Sequence, residues 1–117
     1  FYVQYAHARM CSIIRNIGYG ETQPDLTLLS DKTELALIDR LSDFTDEIVA
    51  SVSEYDPSRI TRYAYDVASL FHSFYNACRV NVDDEKIRNA RLALVKASKI
   101  VLKNTLDILG VNAPESM

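Results

Sequence analysis

The sequence predicts an all-α domain, and three observations carry that expectation. Apolar residues recur at helical spacing through most of the chain, with no strict alternation of the kind a strand would show. Only three Gly and three Pro interrupt 117 residues. Residues that cap helices, such as Asp31, Asp56 and Asp84, stand where the periodic stretches begin. A length of 117 residues fits one domain, 1–117, large enough to bury a core, and 48% apolar residues is ordinary for a globular chain.

The first helix runs to about Ile17, with Val3, Ala6, Met10, Ile13, Ile14 and Ile17 on its apolar stripe. It opens with no cap before it and the chain has no start Met, which reads as a piece of a longer protein. Gly18 stands where a left-handed C-cap belongs. Residues 18–30, with Gly18, Gly20, Pro24 and Asp25, read as a loop. Asp31 and Glu34 have capping-box spacing and start a second helix, with Leu35, Ile38 and Leu41 expected on its buried side. Phe44-Thr45-Asp46-Glu47 reads as a break, with Thr45 capping a short helix that carries Ile48, Val49 and Val52.

Asp56-Pro57 joins a cap residue to Pro at a first helical position. The helix after it is expected to reach about Arg79, burying Ile60, Tyr63, Val67, Leu70, Phe71, Phe74 and Cys78. Asp83 or Asp84 starts the last helix, with Glu85 in its first turn, and Gly110 ends it. That helix is apolar nearly all round, from Ile87 to Leu109, except for a strip of Glu85, Asn89, Lys96, Lys99, Lys103 and Asp107. It is therefore expected at the centre of the bundle. No internal repeat or low-complexity tract is visible.

Charge and cysteine usage narrow the function classes. Net charge is −3, but it is unevenly spread. Residues 21–56 hold ten Asp/Glu against two Lys/Arg, while residues 1–20 hold two Arg and no acid, and residues 57–117 carry a surplus of three cations. In a bundle this gives either two faces of opposite sign or an acidic middle that is only a solvated surface. Cys11 and Cys78 lie on or beside apolar stripes without CxxC spacing, as reduced core thiols of a cytoplasmic protein do. No run approaches the ~20 apolar residues a membrane helix needs, and no signal peptide is visible.

Two faces carry residues suited to chemistry. On the first helix, Tyr5, Arg9, Ser12 and Asn16 line up opposite the apolar stripe, where Lys and Glu would be ordinary. A ring, a planar cation and small hydrogen-bonding groups suit flat anionic partners such as RNA bases and phosphates. On the long helix after Pro57, Tyr65, His72 and Arg79 stand seven apart, with Ser69 and Asn76 alongside and Tyr75 at the apolar edge. A base stacked on such a Tyr gains ~1–3 kcal/mol. His72, Asn76 and Arg79 are thus candidate RNA contacts, although from periodicity alone packing against a neighbouring helix is the better account of His72 and Tyr75.

Other chemistry finds little support. His7 and His72 are the only histidines and have no partner at ligand spacing, so no metal site is expected. No GxSxG, P-loop or GxGxxG occurs. Arg91 falls on an apolar stripe, where a carboxylate or helix C-terminal carbonyls must meet it. Lys96, Lys99 and Lys103 form a basic line that serves solubility or faces a polyanion.

Three stretches carry a resemblance: Val3-Gln4-Tyr5-Ala6-His7-Ala8-Arg9; Ala68-Ser69-Leu70-Phe71-His72-Ser73-Phe74-Tyr75-Asn76 with Ala77-Cys78-Arg79-Val80; and Arg91-Leu92-Ala93-Leu94-Val95-Lys96-Ala97 through the tail from Leu109 to Met117. In this order they resemble the helical, DALR-type anticodon-binding domain of the arginyl-tRNA synthetases. The resemblance implies a helical bundle of the class I synthetase type that follows a Rossmann catalytic domain in the same chain. It implies a parent enzyme that uses ATP and Mg²⁺ to activate arginine and transfer it to tRNA(Arg). The class's catalytic motifs are absent here, so no catalytic residue and no cofactor is expected in this piece. Matched by motif, the residues that hold the opened anticodon loop would be Tyr5, Arg9, Tyr75 and Met117. Met117 has no other signal in the sequence, and its role would require the tail to fold back on the bundle along a path helped by Pro114. Gln4 and His7 would touch the catalytic domain. No RNA role carries over to residues 21–56. A helical module that docks protein and binds no RNA is the alternative, and salt dependence separates the two.

Overall fold

The computed structural model describes residues 1–18 and 23–117, so Gly20 of the expected loop lies outside the described residues. Five helices follow one another: α1 Tyr2–Ile17, α2 Lys32–Ser42, α3 Phe44–Ser53, α4 Ser58–Ala77 and α5 Glu85–Leu109, with a 3₁₀ turn at Leu26–Leu28 inside the expected loop. Among the described residues there is no strand, and no helix is long and apolar enough to cross a membrane.

Local chemistry sets most boundaries. Asp31 and Glu34 form the capping box, with Asp31 accepting from Thr33 N and Glu34 accepting from Asp31 N. Asp84 accepts from the backbone of Lys86 and Ile87. Asp56 accepts from Ser58 N, but Pro57, expected at the first helical position, stands at the N-cap instead, and α4 begins at Ser58. At the end of α5, Gly110 sits at φ 71°, ψ 25°, and the N–H of Val111 reaches back to Leu106 O, a Schellman closure. Gly18 differs from expectation. Its φ of 97° with ψ of −170° is extended on the right-hand side of the map, not left-handed helical. Only glycine adopts that region readily.

The centre is shared. The expectation placed α5 there, and α5 does pack on α1, α2, α4 and the 3₁₀ turn, but α4 touches every other helix. Met10, Leu37, Tyr63, Phe71, Phe74 and Leu102 are completely buried in one continuous core. Truncating one of the two Phe rings to Ala removes about 3–5 kcal/mol. Tyr63 Oη donates to Arg40 O at 2.7 Å, satisfying a carbonyl at the end of α2, and burial pushes the phenol up to about 12. On α5, Asn89 is buried rather than part of the polar strip, while Ile100 and Ile108 face outward.

Two short helices pack differently from their apolar patterns. On α2, Glu34 and Leu37 point inward, and Leu35 is about half exposed. The cause is Arg91: its Nε donates to Glu34 at 3.0 Å and its guanidinium also donates to Arg79 O at 2.8 Å. A carboxylate and a carbonyl of the chain just beyond α4 thus meet the partly buried cation together, and α2 is turned so that Leu35 lines an open apolar groove with Ala93 and Ala97, while Ile38 and Leu41 line it and also pack against the core. On α3, Thr45 is not a cap; the helix resumes one residue after α2, at Asp43, with no side-chain cap bond. Val49 and Val52 are exposed, and Glu47 and Ser51 are buried instead. Glu47 bridges Arg40 at 2.9 Å and Arg59 at 2.7 Å. Burial raises its carboxyl pKa, but those two cations outweigh burial and hold it below the usual carboxylate range. Asp43, Glu54 and Asp56 are likewise paired with arginines. Much of the acidic middle is therefore anchorage between α2, α3 and α4, rather than a free acidic face.

Candidate nucleic-acid interface

Helix spacing places Tyr5 and Arg9 one turn apart on α1, and His72 and Tyr75 three apart on α4. Because α1 packs on α4, the two faces meet. The Arg9 guanidinium lies over the Tyr75 ring, 4.5 Å from its centroid. Arg9 Nη1 also donates to His72 Nδ1 at 3.4 Å, a long contact that requires a neutral imidazole acceptor. Burial first, and the Arg9 charge second, push the His72 pKa below its ordinary value. The His72 ring stacks on Tyr5 at 6.2 Å, and Tyr5 itself is 49% exposed. Tyr75 is half-buried against Phe71, with ring centroids 6.0 Å apart. The sequence reading left one face of Tyr75 open to a stacked base; in the structure Arg9 stands over it.

The tail does fold back. After Gly110 it runs along α1, where Gln4 Nε2 donates to Asn112 O at 3.1 Å, His7 Nδ1 to Pro114 O at 2.9 Å, and an Arg15 guanidinium nitrogen to Glu115 O at 3.1 Å. His7 is completely buried, so it is held by this chain's own tail and is not a surface for another domain. The same path brings Met117 beside Tyr5, Arg9 and Ser12 around a cavity of about 280 Å³. A second cavity of about 570 Å³ is lined by Asn16, Tyr75, Asn76, Arg79 and Asn81. The seven candidate residues therefore divide between two cavities, Tyr5, Arg9 and Met117 at one and Tyr75, Asn76 and Arg79 at the other, joined by the Arg9–Tyr75 contact, with His72 in contact with Arg9 and Tyr5.

The arginines of this surface lack carboxylate partners among the described residues. The guanidiniums of Arg40, Arg59, Arg62 and Arg91 are paired with carboxylates, whereas no described carboxylate pairs with Arg9, Arg15 or Arg79. Cations held beside rings without a protein counter-ion are what an anionic, base-bearing ligand needs. Among the described residues no group of His, Cys, Asp and Glu could hold a metal ion. Cys11 and Cys78 are free and buried, and burial pushes both thiols up. The sequence reading missed three residues of this surface: Arg15 and Asn81 in the cavity walls, and Tyr2, which stacks on Tyr65 at 4.7 Å. Tyr2 carried a signal, since it stands three residues before Tyr5 and shares its helix face.

Comparison with known proteins gives a consistent picture. The DALR anticodon binding domain family matches residues 3–117. An arginine–tRNA ligase of Heliobacterium modesticaldum is 49% identical over 127 residues, covering 100% of this chain and 23% of that protein. One of Caldanaerobacter subterraneus is 52% identical over 123 residues, covering 100% of this chain and 22% of that protein. The chain thus spans less than a quarter of the length of these relatives. Among solved structures, Thermus thermophilus arginyl-tRNA synthetase superposes with a TM-score of 0.89 at 36% identity, over 99% of this chain and 21% of that one. The Plasmodium falciparum arginyl-tRNA synthetase, at 24% identity and a TM-score of 0.81, shares the fold.

Proposed function

The chain belongs to the DALR anticodon binding domain family, and from that premise we propose that it holds the anticodon loop of tRNA(Arg) for an arginine–tRNA ligase. The observation that carries the reading is the convergence of Tyr5, Arg9 and Met117 on one cavity, with Tyr75 beneath Arg9 and no described carboxylate pairing the cation. Phosphate contacts from Arg9, Arg15 and Arg79 would supply affinity, and splayed bases seated in the two cavities would supply discrimination. A cavity that pairs one base edge leaves polar groups unpaired with another, which is the source of selectivity.

The ligase reaction itself belongs elsewhere in the parent chain. ATP, Mg²⁺ and arginine would be handled by a catalytic domain that this chain does not contain. The working place is the cytoplasm, with the rest of translation. The reading is tested in the full-length ligase with Tyr75→Ala and Arg9→Ala. Charging of tRNA should fall while ATP-dependent activation of arginine is much less affected. Equal loss of both would refute it.

A further inference from the structure

The tail has no helix or strand of its own beyond Gly110, so something else must fix where Met117 stands. Three side chains of α1 do so, and each takes a backbone carbonyl: Gln4 that of Asn112, His7 that of Pro114, and Arg15 that of Glu115. Two of these bonds are at the surface, where water competes for both partners. Only the His7 bond is made by a side chain that is 99% buried, with a relative exposure of 1%.

We propose that His7 is a positioning residue: by donating to Pro114 O it seats the tail and thereby sets Met117 against Tyr5 and Arg9. This rests on the anticodon-binding reading for its purpose, but not for its geometry. A carbonyl only accepts, so Nδ1 carries a proton and donates it in this contact. The other ring nitrogen, Nε2, is buried without any partner. An orphaned buried nitrogen is a cost to the fold, and it persists here because the opposite nitrogen holds the tail. Pro114 suits the contact from the other side, since it has no N–H to leave unpaired when its carbonyl is drawn in. Ala113, beside it, packs against the core.

The experiment uses the full-length ligase with ¹³C-labelled methionine methyls, the Met117 signal assigned by loss in Met117→Ala. Met10, completely buried in the core, is the internal control. In His7→Ala the Met117 signal should sharpen and move to the position of a free chain end while the Met10 signal stays in place. In His7→Asn, which keeps an N–H donor near the Nδ1 position, the Met117 signal should return toward the wild-type one. An unmoved Met117 signal in His7→Ala, or Met117 and Met10 signals that move together, would overturn the proposal. Binding of tRNA(Arg) then separates this proposal from the reading it serves. With both correct, His7→Ala weakens binding no more than Met117→Ala does, and the double variant no more than the weaker single one. Losses that multiply would overturn the positioning role. If Met117→Ala binds as wild type, the anticodon role of Met117 fails, and the seating by His7 is still decided by the methyl signals.

Discussion

Arg9 on α1 covers the ring of Tyr75 on α4, its guanidinium carbon 4.5 Å from the ring centroid. The contact does two things at once. It joins the helices at the edge of the core, and it holds a planar cation with one side against a ring and no described carboxylate to neutralise it. A partly exposed contact of this kind is worth about 0.5–1 kcal/mol to the fold, so Arg9 is held in place without being essential for folding.

Arg9→Ala is therefore expected to lower tRNA affinity much more than stability. Losing a charge-assisted contact and a stacking surface costs about 1–3 kcal/mol of binding, or roughly fivefold to 150-fold in Kd. Filter binding beside a thermal melt checks it. Arg9→Lys keeps the charge but not the plane, and should recover only part of the loss.

Arg79 faces the second cavity and is exposed. If it meets phosphate, Arg79→Ala weakens binding to every stem-loop alike and reduces the slope of log K against log salt by about 1. A loss confined to one loop sequence would assign it to a base instead.

The fold was legible wherever it is decided by neighbours in sequence. The Asp31–Glu34 box, Asp84 and Gly110 read correctly because a cap involves residues only a few apart. Leu35 and the valines of α3 did not, because Arg91 and the arginines around Glu47 reorient those helices from more distant positions in the chain. The candidate site divides in the same way. Tyr5 and Arg9 stand out on a helix face, but the tail contacts join residues more than 100 apart, such as Gln4 and Asn112, and no periodicity reports them. Met117 entered only through the family resemblance.

Breaking the Glu34–Arg91 pair should be expensive for stability alone. Glu34 is 2% exposed at its side chain and Arg91 20%. Glu34→Ala strands that cation and is expected to cost about 3 kcal/mol, the low end for a broken buried pair because Arg91 keeps some water and its bond to Arg79 O. Urea unfolding measures it.

Cys11 lies 3.8 Å from His7 Nδ1 and close to the tail, and burial raises its thiol pKa. A thiol reagent should label it slowly in the intact protein. Deleting residues 112–117 should speed labelling of Cys11 many-fold and leave Cys78 slow, since Cys78 is buried in contact with Thr33 of α2.

His72 predicts the acid side of the stability curve. Its pKa is lowered in the fold, by burial and then by Arg9, so the unfolded chain takes up the proton first. Stability should be full at neutral pH, fall as pH drops below the ordinary value of 6.5 toward the folded-state value, and level off beneath it. His72→Gln should flatten that part of the curve.

The central claim is that this surface reads an arginine anticodon. The most direct measurement is a titration of the full-length ligase with a tRNA(Arg) anticodon stem-loop, beside one with its central anticodon base changed, at two salt concentrations. The expected result is binding that prefers the arginine loop, weakens steeply with salt, and loses its preference in Arg9→Ala and Tyr75→Ala. Equal binding of both loops, or binding indifferent to salt, would contradict it.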